Sequence, residues 1–103
     1  MIMHIVHFTS ALSDESIKEL YTARMARYRE VPGLLQKHYV RYENGEHGAV
    51  YTWDSPEALQ AFRDGELFRS IADTYQVQEW TLEVADVVLS LRETAETAAV
   101  TPR

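Results

Sequence analysis

Apolar positions change period several times along these 103 residues, and each change marks an element. Ile2 to Phe8 is a short apolar run rich in β-branched residues and predicts a first strand. Ser13 is placed to cap a helix, with Asp14 and Glu15 near its positive end. Ile17, Leu20, Tyr21, Met25 and Tyr28 then recur at spacings of three and four, the stripe of an amphipathic helix. Val31-Pro32-Gly33 stops it. Leu34 to Glu43 is extended again, Asn44-Gly45 signals a hairpin, and Gly48 to Trp53 is the returning strand. Ser55 caps a second helix with Pro56 in its first position, where the missing N–H does no harm. The stripe begun by Leu59 and Phe62 breaks at Asp64-Gly65 and resumes through Leu67, Phe68, Ile71, Ala72 and Tyr75. Glu79 to Leu91, rich in Val and Leu, predicts a long last strand.

The order β-α-β-β-α-β predicts an α+β, ferredoxin-like fold: one antiparallel sheet with two helices on one face. A single domain over residues 1–91 is expected, followed by a flexible C-terminal tail over 92–103, where no core pattern remains. Helices cover only one sheet face. On the last strand Trp80, Leu82, Val84 and Val88 oppose Ala85, Val87 and Leu89, so both faces are expected to be largely apolar. An apolar face of that size marks an interface. The expectation is a homodimer packed sheet to sheet, with the last strand reaching into the partner.

Composition narrows the function classes. Apolar residues make up 46% and charged residues 25%, an ordinary globular balance with room for one modest core. The net charge of −6, with no basic cluster, argues against nucleic acid as a partner. No apolar run is long enough for a membrane span, and MIMHIVHF reads as a strand and not as a signal peptide. Without cysteine there is no thiol nucleophile and no Cys-type zinc site, which fits a cytoplasmic protein. His4 and His7 are three apart on a strand, so they face opposite ways and cannot share one metal ion. No metal site is expected. Phosphate-loop, nucleophile-elbow, flavin and nicotinamide fingerprints are absent as well.

The stretch Trp53-Asp54-Ser55-Pro56-Glu57-Ala58, with Phe62 and Leu67-Phe68-Arg69 after it, resembles the signature of the dimeric α+β barrel superfamily. That superfamily includes the antibiotic-biosynthesis monooxygenases. His7-Phe8, Pro32-Gly33-Leu34-Leu35 and Gly48-Ala49-Val50-Tyr51 make the chain most similar to the small YdhR-type monooxygenases. The resemblance covers residues 2–91. It implies a monooxygenase that needs no cofactor and acts on a small aromatic or enolic, polyketide-like molecule. A non-catalytic ligand-binding dimer, or a cofactor-free isomerase, cyclase or lyase, is the alternative on the same fold. Haem-degrading relatives carry an Asn on the first strand and a Trp and a His on the second helix. The corresponding helix positions here fall on about Phe62 and Ala72, and the first strand has no Asn.

An even-length hairpin loop would put Gln36, His38 and Val40 on one face with Ala49, Tyr51 and Trp53. His38 would then stand beside Tyr51 or Trp53, with Phe62, Phe68 and Tyr75 completing an aromatic enclosure. On that reading His38, or His7 at the end of the first strand, is the catalytic base. Tyr51 and Gln36 hydrogen-bond substrate oxygens. Trp53, Phe62, Phe68 and Tyr75 hold the substrate flat. The plainer reading of Trp53 and Phe62 is a core plug where strand meets helix. His47 reads as a solvated turn residue. Lys37 and Arg41 share a face with Tyr39, opposite His38, suited to the dimer interface or to steering an anion. Arg24 interrupts the first helix's stripe and needs a carboxylate, for which Asp86 is a candidate.

Overall fold

The computed structural model describes residues 1–92, so most of the expected tail lies outside the described residues. The chain runs β1 (Ile2–Ser10), α1 (Asp14–Arg29), β2 (Leu34–Arg41), β3 (His47–Trp53), α2 (Pro56–Arg63), α3 (Glu66–Arg69), α4 (Ile71–Thr74) and β4 (Val77–Asp86). The sheet order is β2-β3-β1-β4, with every neighbouring pair antiparallel. This is the expected ferredoxin-like architecture. The second helix is broken into three short pieces, and Asp64-Gly65 separates the first two. Both predicted caps form: the side chain of Ser13 accepts from the Ser16 N–H, and that of Ser55 from the Ala58 N–H.

Alternation on β1 sets the two faces. Ile2, His4, Val6 and Phe8 are buried toward the helices, while Met3, Ile5, His7 and Thr9 are only partly covered. Ala49, Tyr51 and Trp53 share the buried face and meet Ile17 and Tyr28 of α1, Leu59 and Phe62 of α2, Ile71 of α4 and Tyr75. Gly48 is required where β3 crosses β1, because a Cβ there would run into the Val6 backbone. Gly33, at φ +79°, makes the turn into β2 in a conformation other residues adopt only with strain.

Two expectations about strands are corrected. The last strand starts at Val77, directly after Gln76 at φ 47°, and ends at Asp86 and not at Leu91. Its register pairs Phe8 with Trp80, Val6 with Leu82 and His4 with Val84, so Trp80, Leu82 and Val84 lie on the helix side. The other side of β4 carries Glu79, Thr81, Glu83 and Ala85 and is largely polar, contrary to the expectation of two apolar faces. Even so, α1 to α4 leave the β4 edge open. Trp80 is 38% and Val84 50% exposed, and Val88, Leu89 and Leu91 beyond the strand are almost wholly exposed.

The β2–β3 hairpin carries the second correction. Arg41 pairs with His47, Tyr39 with Ala49, His38 with Val50 and Lys37 with Tyr51. The loop from Tyr42 to Glu46 therefore has an odd length, closed by the Tyr42 N–H to the Glu46 carbonyl (2.8 Å) and the Gly45 N–H to the Tyr42 carbonyl (2.9 Å). One residue of register exchanges the two faces of β2. Lys37 and Tyr39 turn toward the helices and His38 turns away. A register shift between Leu34 and Gln36 ends the regular pairing.

Candidate functional site

The exchange of faces on β2 creates an unusual interior. Lys37 enters between sheet and α1, and its Nζ lies 3.3 Å from the centre of the Tyr28 ring, 4.4 Å from that of Tyr39 and 4.7 Å from that of Tyr51. No carboxylate pairs with it among the described residues. Burial, assisted by the nearby charge of Arg24, lowers its pKa from 10.5 to about 6. At neutral pH the amine is mostly uncharged. Burial acts the opposite way on the phenols: Tyr39 rises to about 12, and Tyr21, Tyr28, Tyr51 and Tyr75 rise above their ordinary value. The group is thus a neutral amine ringed by protonated tyrosines.

Lys37, Tyr28 and Tyr39 are also part of the wall of a cleft of about 340 Å³ between the C-terminal half of α1 and the start of β2. Met25, Leu34 and Leu35 supply its apolar wall, and Arg29 and Gln36 its remaining polar groups. No Asp or Glu lines it. The volume falls in the range of small-molecule sites, roughly 300–1,000 Å³. Behind Lys37, a much smaller space is bounded by Tyr21, Tyr28, Tyr51 and Tyr75. The Tyr28 and Tyr75 hydroxyls are buried, interacting with Tyr51 and Arg24, and the Arg24 guanidinium lies 5.7 Å from the centre of the Tyr75 ring. The other nitrogens of Arg24 donate to Thr74 Oγ1 (3.2 Å), Ser70 Oγ (2.8 Å) and the Leu67 carbonyl (3.3 Å). The expected Arg24–Asp86 pair is not made: Arg24 is held by neutral acceptors, and Asp86 is exposed at the end of β4. One guanidinium, one neutral amine and several phenols therefore share this interior, with no carboxylate among the groups that line it.

The residues singled out from sequence are distributed differently than expected. Tyr51 is buried in the tyrosine group, and Gln36 lines the cleft. His38 is exposed on the opposite sheet face, away from Tyr51. His7 is also on that face, stacked on Tyr42 at 3.7 Å, with Nδ1 3.6 Å from Glu46. Trp53, Phe62 and Tyr75 are core residues, with Trp53 and Phe62 packed at 5.1 Å, which favours the plug reading of that joint. Phe68 is partly buried between Phe62 and Trp80, 5.4 Å from the one and stacked at 5.6 Å on the other. His47 is not a solvated turn residue: it opens β3, its side chain is 12% exposed, and Nε2 lies 3.1 Å from Asp14.

Two residues stand in the interior in a way their sequence reading does not assign. Lys37 was assigned to the other face, and only the odd loop length could have revealed it. His4 is fully buried between Tyr51 (5.2 Å) and Phe68 (6.1 Å), with neither ring nitrogen hydrogen-bonded. Burial, followed by the charge of Arg63, lowers its pKa from 6.5 to about 4. Its place in the Ile2–Val6 alternation was the available signal.

The fold is similar to that of solved antibiotic biosynthesis monooxygenase structures. No family model matches the sequence, and no curated protein does so. Solved structures do. SnoaB, a cofactor-independent oxygenase from Streptomyces nogalater, superposes with a TM-score of 0.73 at 13% identity, over 89% of this chain and 97% of that one. The haem-degrader MhuD from Mycobacterium tuberculosis, solved with two haems in its active site, gives 0.73 at 21% identity, over 89% and 100%. An antibiotic biosynthesis monooxygenase gives 0.67 at 20%, over 86% and 100%. At these identities the likeness is one of fold. The four histidines here all stand on strands, and Phe62, at a position where the resemblance would look for a haem-site residue, is buried in the core. The residues present do not fit a haem ligated by a helix histidine. Among the described residues no helix is long and apolar enough to cross a membrane.

Proposed function

We propose that this chain is a cofactor-independent monooxygenase of the YdhR type, acting in the cytoplasm on a small aromatic or enolic, polyketide-like molecule. The observation that carries the reading is the cleft of about 340 Å³, walled by tyrosine and leucine and lacking any carboxylate. Such a wall accepts a flat ring and favours a ligand that becomes negative. Tyr28 and Tyr39 hold the ring, and Gln36 hydrogen-bonds a substrate oxygen. Tyr51 supports the pair from beneath, and Trp53, Phe62, Phe68 and Tyr75 form the packed floor behind it. Loss of a proton from an activated CH₂ leaves a carbanion that can itself reduce O₂. One oxygen atom enters as a carbonyl and the other leaves as water with the two hydrogens, so no external reductant is needed. His7 and His38 do not line this cleft, which supports seeking the base among the groups that do.

The working form proposed is a homodimer. Support comes from Val84, Val88, Leu89 and Leu91, which form an exposed apolar edge at and beyond β4. Met3, Ile5, Val40 and Val50 add apolar area to the helix-free face. The reading is tested by incubating the protein with anthrones, naphthols and quinols under oxygen-18 gas and weighing the products. One labelled oxygen per product supports it. Turnover that persists without oxygen identifies an isomerase, cyclase or lyase, and saturable binding without product identifies a ligand-binding dimer.

A further inference from the structure

We infer that Lys37 is the proton acceptor of the cleft, and that its ligands are acidic phenols or enols held as oxyanions on the resulting ammonium group. The inference rests on the monooxygenase reading for the aromatic nature of the ligand. Its geometry is independent of that reading.

Lys37 is the amine common to the cleft and to the smaller tyrosine-lined space behind it. Its Nζ covers one face of the Tyr28 ring at 3.3 Å, and Lys37 and Tyr28 both line the cleft, so a ligand lying beside them meets the amine at the ring's edge. The charged and titratable groups around it are Arg24, Tyr28 and Arg29 from α1, Tyr39 on β2, Tyr51 on β3, and Tyr75 after α4. All are cationic or protonated, and none is an acid. Burial and the charge of Arg24 disfavour an ammonium ion in the empty site, more than the tyrosine ring faces offset, and the guanidinium groups of Arg24 and Arg29 favour an anion beside them. A phenol or enol entering the cleft resolves both conditions together. Its O–H proton passes to the lone pair of Nζ. The ligand oxyanion and the ammonium ion then form the charge pair the empty site lacks, with net charge unchanged. For an enol, loss of the O–H proton gives the same enolate carbanion as loss of a CH₂ proton from its keto form, so one residue supplies both selectivity and the first step of the oxygenation.

The chain has two lysines, Lys18 exposed on α1 and Lys37, so Lys18 is an internal standard. Carbon-13 NMR of lysine-labelled protein follows both amines with pH. Lys37 is expected to titrate near 6 and not near the ordinary lysine value of 10.5. Saturation with 4-nitrophenol at a pH just below its own ionisation should convert Lys37 to the charged form and produce the phenolate absorption band. Lys37→Met should bind the probe without that band, and Lys37→Arg should bind added phenolate without taking a proton. Co-titration of Lys37 with Lys18 overturns the proposal whatever the ligand. Probe binding with equal phenolate in wild type and Lys37→Met overturns it while sparing the aromatic reading. Failure of both 4-nitrophenol and 2-naphthol to bind overturns the aromatic reading and this proposal with it.

Discussion

Replacing Lys37 by methionine should make the protein more stable, and by an amount that depends on pH. The folded amine titrates near 6 against 10.5 unperturbed. At about 1.4 kcal/mol per pKa unit, keeping it charged in the fold costs up to about 6 kcal/mol, and discharging it at pH 7 costs about 5 kcal/mol. Relaxation and water at the cleft mouth reduce these figures. Exchanges of buried ionic groups for well-packed apolar ones gain about 1–4 kcal/mol, the range expected at pH 7. Methionine keeps the unbranched stem and offers a thioether to the Tyr28, Tyr39 and Tyr51 rings, so packing loss is small. Between pH 6 and 10.5 the unfolded chain binds the proton that the folded chain has lost. The cost is therefore full below about 6 and fades as pH rises toward 10.5. Urea unfolding at fixed protomer concentration, at pH 6, 7.5 and 9, measures it. The advantage of Lys37→Met should shrink at each step upward. A variant less stable than wild type, or an advantage independent of pH, would refute the reasoning.

Other consequences can be checked with similar means. His4, lowered to about 4 by burial, gives stability that is complete above pH 6.5 and lost as pH falls through 4. His4→Leu should flatten acid unfolding over that window by about 2–3 kcal/mol, and an unchanged acid limb would count against a buried neutral imidazole. Trp53→Ala removes a fully buried indole and should cost about 3–5 kcal/mol in urea unfolding; a loss below 1 kcal/mol would contradict its role as a plug. The pair Val84→Glu and Leu89→Glu should convert a dimer to monomer in light scattering with sedimentation, whereas an unchanged mass would remove the β4 edge from the interface.

Much of this architecture was legible because local signals agreed with one another. Ser13 and Ser55 announced their helices, the Ile2–Phe8 alternation its strand, and the element order the sheet. The site was less legible, for a specific reason. Which side chains of β2 meet Tyr51 depends on whether the loop after Arg41 has an odd or even number of residues. Asn44-Gly45 signals a turn without stating that number. An even count places Lys37 outside and His38 inside, the reverse of the structure. A lysine flanked by Leu35 and Tyr39 at alternate positions is also an improbable core residue by hydropathy, since burial of an amine costs several kcal/mol unless its charge is lost. The end of β4 was overextended because Val87, Val88, Leu89 and Leu91 carry strand-like side chains without a strand to pair with.

The most direct test of the central claim is oxygen uptake by the purified protein, with no cofactor added, over hydroxylated anthrones, naphthols and quinols. Uptake equal to product formed is expected for at least one of them, falling ~10²-fold or more in Lys37→Met and little changed in His38→Ala. Product formed at the same rate in Lys37→Met, or formed without oxygen consumption, would contradict it.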